Sequence, residues 1–284
     1  MTQTTSANVF VPEVYEDTAQ AAFTGAVRVA GSAAVVESPT LEGSPGDTVT
    51  FPKWGLIGEL DELSETVALV PAPMSTSSAT ATIKEVGKAV EITDKARLVS
   101  LGDPEAEAAR QFGIMNARKV DADLIACAQA DETAQGGGLP LSHNASAGQT
   151  TLSWDRIVDA IAKFGDEWAP EDFAGIYINS AQQADLMRDA NFISADKLGS
   201  TGTAIARGQI GAVAGVAVFV TDRVAAKKVL IIKRGALGLL HKKRPSAEKG
   251  RDQLARTDVI STTAHYAVKR LNDKGVCVLT LAAA

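Results

Sequence analysis

Apolar and polar positions change their pattern along the chain, and each change marks a different kind of element. Over the first 45 residues, large apolar side chains (Phe10, Val11, Val14, Tyr15, Phe23, Val27 and Val29) occur without a run dense enough to close a core. This pattern predicts an arm rather than a domain. Pro12 and Glu13 suit the first turn of a short helix reaching to about Arg28, because proline is tolerated there and a carboxylate faces the positive end of the helix dipole. Gly43, Pro45 and Gly46 predict a turn into a strand over 48–54, whose β-branched and aromatic residues end at Trp54 and whose Pro52 favours a sheet edge.

Residues 55–78 hold glycines, prolines, an acidic cluster (Glu59, Asp61, Glu62 and Glu65) and a Ser/Thr tract, and a strand-like return limb follows over 79–93. Together they predict a long two-stranded excursion. Such a hairpin has little core of its own, so support from outside its own chain is expected. Asp103, Pro104 and Glu105 then form a strong helix start, and Phe112, Met115, Val120, Leu124 and Cys127 recur at roughly helical spacing to about Ala130. At ~1.5 Å per residue that helix spans about 40 Å. Gly136, Gly137, Gly138 and Pro140 end it.

From Leu152 to Ile232 helical and strand-like segments alternate, which predicts a compact α/β unit. Ser153 is placed to cap a helix lined by Trp154, Ile157, Ile161 and Phe164 and closed by Gly165. A strand over 173–178 precedes a helix whose capping box is read as Ser180 with Gln183, ending near Asp189. Further strands are expected over 216–220, 228–232, 237–242, 258–269 and 276–281, the last two joined as a hairpin by Asn272–Gly275.

Composition and charge narrow the function. The 284 residues are 45% hydrophobic with a formal net charge of −6, which disfavours nucleic-acid binding driven by the protein's own field. Cys127 and Cys277 are too few and too far apart for a disulfide framework or a zinc ribbon. The longest apolar run, 211–220, is about half of the ~20 residues needed to cross a bilayer, and residues 1–10 lack a signal-peptide pattern, so a soluble, unexported chain is expected.

Candidate chemistry is sparse. His143, His241 and His265 accompany no nucleophile elbow, and both cysteines read as core. Asp121 and Asp123 lie two apart on the long helix, so they cannot share a ligand, and they read as solvated. The glycines at 208, 211 and 215 precede their strand, whereas a dinucleotide site needs strand, glycine turn and helix in that order. Lys242, Lys243, Arg244, Lys249 and Arg251 form a basic tract with no interleaved aromatic residue, which suits a loop pairing with a carboxylate-rich neighbour at least as well as a nucleic-acid patch.

The order of arm, long two-stranded excursion, long capped helix, α/β unit and returning strands resembles the major capsid proteins of tailed bacteriophages, the Hong Kong coat-protein fold. Three strings carry the resemblance: Phe10-Val-Pro-Glu-Val-Tyr15, the glycine turn and strand over 208–218, and the segment from Arg251 through Asp258 to Tyr266. The resemblance implies an α+β phage capsid fold divided into an N-arm (1–45), an extended β-hairpin loop (46–94), a peripheral domain with a long spine helix (95–138), an axial α/β domain (139–235) and closing peripheral strands (236–284).

It further implies a non-enzymatic shell subunit that assembles into hexamers and pentamers around viral DNA without binding it sequence-specifically, with no cofactor, metal or membrane. Because the chain starts almost at the arm, scaffolding is expected from a separate protein, beside a portal and a decoration protein. Phe10, Val14, Tyr15, Phe23, Trp54, Glu59, Asp61, Glu62, Lys242, Lys243, Arg244 and Arg251 are the expected inter-subunit contacts. No lysine–asparagine crosslink of the kind some members carry is assigned to Lys53 or Lys84. Two other readings compete: an encapsulin-like compartment of the same fold, and an α/β oxidoreductase, which the glycine order disfavours.

Overall fold

Two β-sheets meet along one long helix in the computed structural model, which describes residues 28–38, 46–54, 57–58, 71, 73–189 and 209–282. In chain order the first half holds β1 (Val35–Ser38), β2 (Thr48–Trp54), β3 (Thr76–Thr82), β4 (Lys84–Thr93), α1 (Asp94–Val99), α2 (Pro104–Gln129) and β5 (Leu141–Asn144). The second half holds α3 (Trp154–Ile161), β6 (Phe173–Ile178), α4 (Ser180–Arg188), β7 (Gln209–Val213), β8 (Val216–Val220), β9 (Lys228–Lys233), β10 (Leu237–Asp252), β11 (Thr257–Arg270) and β12 (Val276–Thr280).

Helix α2 begins as its sequence predicts: the Asp103 carboxylate accepts the Glu105 amide at 2.9 Å, Pro104 occupies the first turn, and Glu105 and Glu107 face the dipole. Its burial is uneven. The first half buries Phe112 against Ile92, Ala96 and Ile260, whereas the second half buries Val120, Leu124, Ile125, Cys127 and Ala128. That half runs between the two sheets. On one side lie Leu239, Ala264 and Tyr266 of the four-stranded sheet, ordered β1-β10-β11-β4. On the other lie Tyr177, Leu230, Ile232, Val276 and Val278 of the six-stranded sheet, ordered β5-β12-β9-β6-β8-β7. Successive strand residues point to opposite faces, so the alternate set, Ile176, Ile178, Val229, Ile231, Cys277 and Leu279, packs against Ile157, Ala160 and Leu186 of α3 and α4.

Several expected elements are rearranged. The excursion is two-stranded only over β2 and β3; β4 turns away at Ile83 and pairs instead with β11, from Thr93↔Thr257 to Lys84↔Tyr266. The hairpin base also has support within its own chain, because Val49, Phe51 and Ala81 pack on Leu240 and Ala267. The turn at Asn272–Gly275 does not fold β12 back on β11. It carries the chain to the other sheet, where β12 lies between β5 and β9, so the stretch 236–284 is divided between the two sheets. The capping box sits one residue earlier than read, with Asn179 and Gln182 exchanging the two bonds. Ser153 makes no capping bond; the Asp189 carboxylate, from beyond α4, accepts the Trp154 amide at 2.6 Å instead. Helix α3 ends at Ile161, and Gly165, with φ of 55°, kinks the 3₁₀ turn that follows.

The basic tract is strand, not loop. Strand β10 runs on to Asp252, and the tract lies where its register with β11 slips twice, between His241 and Lys243 and between Lys243 and Ser246. In the glycine-rich string, Ala214 and Gly215 both take positive φ, 49° and 83°, in the two-residue turn joining β7 to β8. A strand follows these glycines and no helix does, which leaves no phosphate-cradling turn there.

Candidate assembly surfaces

The hairpin formed by β10 and β11 is the longest among the described residues, and its two ends are built differently. At the end near Leu237 and Arg270, the guanidinium of Arg270 is fully buried. It donates to the carbonyls of Cys127, Ala128 and Ala130 at 3.2, 3.0 and 2.9 Å, and to that of Gly138. The first three belong to the C-terminal end of α2, so Arg270 caps that end from a strand, and no residue near the helix end signals it. Its Nε donates to Asp273 at 2.8 Å, and the other Asp273 oxygen accepts Lys53 Nζ at 2.9 Å. Burial alone would raise the Asp273 carboxyl, but the Lys53 and Arg270 bonds hold it below its ordinary value. A chain of charges thus links β2 of the extended hairpin to the end of α2. Gly136 makes the same junction by steric fit: a Cβ there would stand 2.4 Å from the Ser78 carbonyl of β3.

Asp121 and Asp123, expected to be solvated, are both buried. They do point to different partners. Asp121 accepts the amides of Val29 and Ala30 at 2.8 and 2.9 Å on one oxygen and Arg223 at 2.9 Å on the other. Asp123 accepts the Tyr266 hydroxyl at 2.6 Å and Lys119 at 3.1 Å. Asp121 therefore ties residues 29–30 to the long helix, and the Ser32–Tyr177 bond and the β1–β10 pairing tie the same stretch to both sheets. The available signal was their position, flanked by Val120 and Leu124 where the apolar face is densest.

At the far end, where β10 turns into β11, the charges lie near the surface. Arg251 grips Asp94 through two bonds of 2.6 and 2.7 Å and reaches Asp258 at 2.9 Å. Lys249 reaches Glu105 at 2.7 Å and Asp258 at 3.5 Å, and Arg97 reaches Asp258 and Glu105 at 3.1 and 3.3 Å. Bonding to Arg251 holds the carboxyls of Asp94 and Asp258 below their ordinary values, and Glu105 raises the Lys249 ammonium.

Of the expected contact residues, Arg251 is thus engaged within the chain. Lys243 bonds Thr263 and Glu248 at 3.1 and 3.3 Å, Lys242 donates to the Gly46 carbonyl, and Arg244 stands exposed. Trp54 ends β2, paired in register with Thr76. Phe10, Val14, Tyr15, Phe23, Glu59, Asp61 and Glu62 lie outside the described residues.

Reactive chemistry is not assembled among the described residues. Cys127 and Cys277 are buried and free. Burial, with Glu132 beside it, raises the Cys127 thiol well above its ordinary range, and burial pushes Cys277 up to about 12, so neither forms a thiolate near neutral pH. No group of His, Cys, Asp and Glu among the described residues could hold a metal ion, and no described helix is long and apolar enough to cross a membrane.

Known proteins match this arrangement over almost its whole length. Residues 76–279 fit the family model described as phage capsid protein. The major capsid protein of Staphylococcus phage phiMR11 is 31% identical over 265 residues, covering 93% of this chain and 90% of that one. The solved capsid of the cyanophage P-SCSP1u has the same fold, with a TM-score of 0.72 at 16% identity over 96% of this chain and 93% of that one. The structure from Mycobacterium phage Che8 gives 0.69 at 17% identity, covering 96% and 97%, and the capsid of a native GTA particle gives 0.73 at 15%, covering 96% and 95%. With both sheets, the extended hairpin and the long helix in the expected order, the chain belongs to the phage capsid protein family and carries the Hong Kong coat-protein fold.

Proposed function

We propose that this chain is a major capsid protein, a structural subunit that assembles with its own copies into the hexamers and pentamers of a closed icosahedral shell around phage DNA. The observation that carries this reading is the 31% identity to a major capsid protein over nine-tenths of both chains. The physical design supports it. The buried charges join elements within the subunit, and the capsid family match supports a structural rather than enzymatic reading. The net charge of −6 suits enclosing DNA without holding it tightly. A separate scaffolding protein, a portal and a decoration protein complete the expected partners, with assembly in the host cytoplasm and the virion as destination.

Mass photometry and electron microscopy of purified protein, alone and with its scaffold, test the reading. Discrete closed particles are expected. A compact monomer under every condition would overturn it.

A further inference from the structure

We infer that His241 is a proton-operated release for the base of the extended hairpin formed by β2 and β3. The inference concerns the subunit alone, so it goes beyond the shell reading and does not depend on it. Its first support is position. Leu240, on one side of His241, packs with Val49, Phe51 and Ala81 of the hairpin, and Lys242, on the other side, donates to the Gly46 carbonyl where the hairpin begins. The backbone of β10 at His241 therefore carries the seat on which the hairpin base rests. That backbone is also irregular: His241 pairs with Tyr266 and Lys243 with His265, so Lys242 is an extra residue with no partner in β11. A bulge of this kind can shift without unpairing a whole ladder, because the ladder is already interrupted there.

The second support is an orphaned atom. By strand alternation the His241 side chain lies on the face opposite Leu240, where its ring stands 6.3 Å from that of Tyr266. Its Nδ1 is buried and has no hydrogen-bond partner. A neutral ring leaves such a nitrogen as an idle acceptor, whereas the imidazolium makes both nitrogens donors and turns the orphan into an unpaired, desolvated charge. Burial holds the ring below its ordinary 6.5, with Glu37 of β1 acting against burial and Arg244 of β10 acting with it. The other charges facing this site are committed. The Tyr266 hydroxyl of β11 donates to Asp123 of α2, and Asp123 also pairs with Lys119 and with Lys84 of β4, at 3.1 and 3.6 Å.

Among the described residues, Glu37 is thus the carboxylate left to receive a charged ring. It is exposed at the edge of the four-stranded sheet, in the strand that pairs with β10. A protonated His241 gains by moving outward toward Glu37, and that movement shifts the bulge through which Leu240 and Lys242 hold the hairpin base. Since the shifted form binds the proton more tightly, lowering the pH below about 6 favours it. The Lys53–Asp273 pair also holds the hairpin, but Asp273 titrates below its ordinary 3.8, so acid breaks that tie in a separate, lower range.

The test is amide exchange of the full chain as free subunits at about pH 7.5 and about pH 5.5, corrected for the intrinsic pH dependence of exchange. The quantity read is the exchange of β2 and β3 relative to the buried strand β12. In the wild type this ratio is expected to rise about fivefold or more at the lower pH, and in His241→Gln to stay constant. Glu37→Gln, at an exposed position, should move the midpoint of the rise to lower pH. A wild-type ratio that does not change, or one that rises equally in His241→Gln, would overturn the inference. If His241→Gln does not fold, Glu37→Gln decides, and an unmoved midpoint would overturn it. None of these outcomes bears on the shell reading, which rests on particle assembly.

Discussion

The two ends of the β10–β11 hairpin use the same chemistry for opposite purposes. At the Arg270 end, a guanidinium with no exposed surface caps the long helix and shares Asp273 with Lys53 of the extended hairpin. At the Arg251 end, a guanidinium about two-fifths exposed grips Asp94 and Asp258, at a turn whose Leu254 is exposed. Burial decides the difference. A desolvated charge must be fully partnered inside the chain or destabilise it, while an exposed one orders local backbone at little cost and little gain. One end is therefore locked into the subunit's core, and the other stays at its surface.

The largest test of this contrast is Arg270→Met. Removing the guanidinium takes the donor from the Ala128 and Ala130 carbonyls and leaves Asp273 short of a partner, so a loss of about 3–5 kcal/mol is expected in chemical denaturation. Stability within about 1 kcal/mol of wild type would mean that the buried end holds nothing essential. Asp121→Ala should cost somewhat less, about 2–4 kcal/mol, because it strands the amides of Val29 and Ala30 and removes a buried carboxylate partner of Arg223. Lys53→Gln should lower global stability by only about 1 kcal/mol, since Arg270 still holds Asp273, yet it should speed amide exchange in β2 and β3 more than elsewhere. Uniform exchange across the chain would show that the hairpin is fixed by other contacts.

The pH dependence should sharpen the same division. Asp273, Asp258 and Asp94 titrate in the folded chain below their ordinary 3.8, so their contribution is complete above about pH 4 and is lost as pH falls through the folded values. His241, lowered by burial despite Glu37 nearby, also favours the folded state less as pH falls, but its contribution begins to decline just below its ordinary 6.5. Two declines are expected in thermal melts from pH 8 to 3, and His241→Gln should remove the first. A single acid transition in wild type would show that His241 is not held neutral by the fold. The smallest effect belongs to Arg251→Ala, which should move the melting temperature of free subunits by no more than about 3 °C. A larger drop would mean that the far end is also part of the subunit's own core.

Much of this architecture was legible where local rules suffice. Asp103-Pro104-Glu105 announced α2 to within a residue, and residues 173–178 and 216–220 fixed two strands of the six-stranded sheet. What failed were pairings between distant segments. The strands at 258–269 and 276–281 read as a hairpin because they are close in sequence, yet Asn272 caps a 3₁₀ turn there that sends β12 to the other sheet. Asp121 and Asp123 read as solvated because a helix alone offers no partners; the amides of 29–30 and the Tyr266 hydroxyl arrive from 92 and 143 residues away. Arg270 was equally silent, because a C-terminal cap supplied from a strand leaves no mark near the helix end. The exposed leucines at 98 and 254 were missed for the opposite reason: apolar residues in a strand-rich sequence are expected inside.

Amide exchange on free subunits and on assembled particles, read peptide by peptide along β10 and β11, tests the division most directly. Residues 266–274, which cap α2 through the buried Arg270, should be slow in both forms, and 252–258, at the exposed turn, should exchange faster than 266–274 do in free subunits. Equal, slow exchange at both ends of the free subunit's hairpin would contradict a hairpin with one end locked in the core and the other held at the surface.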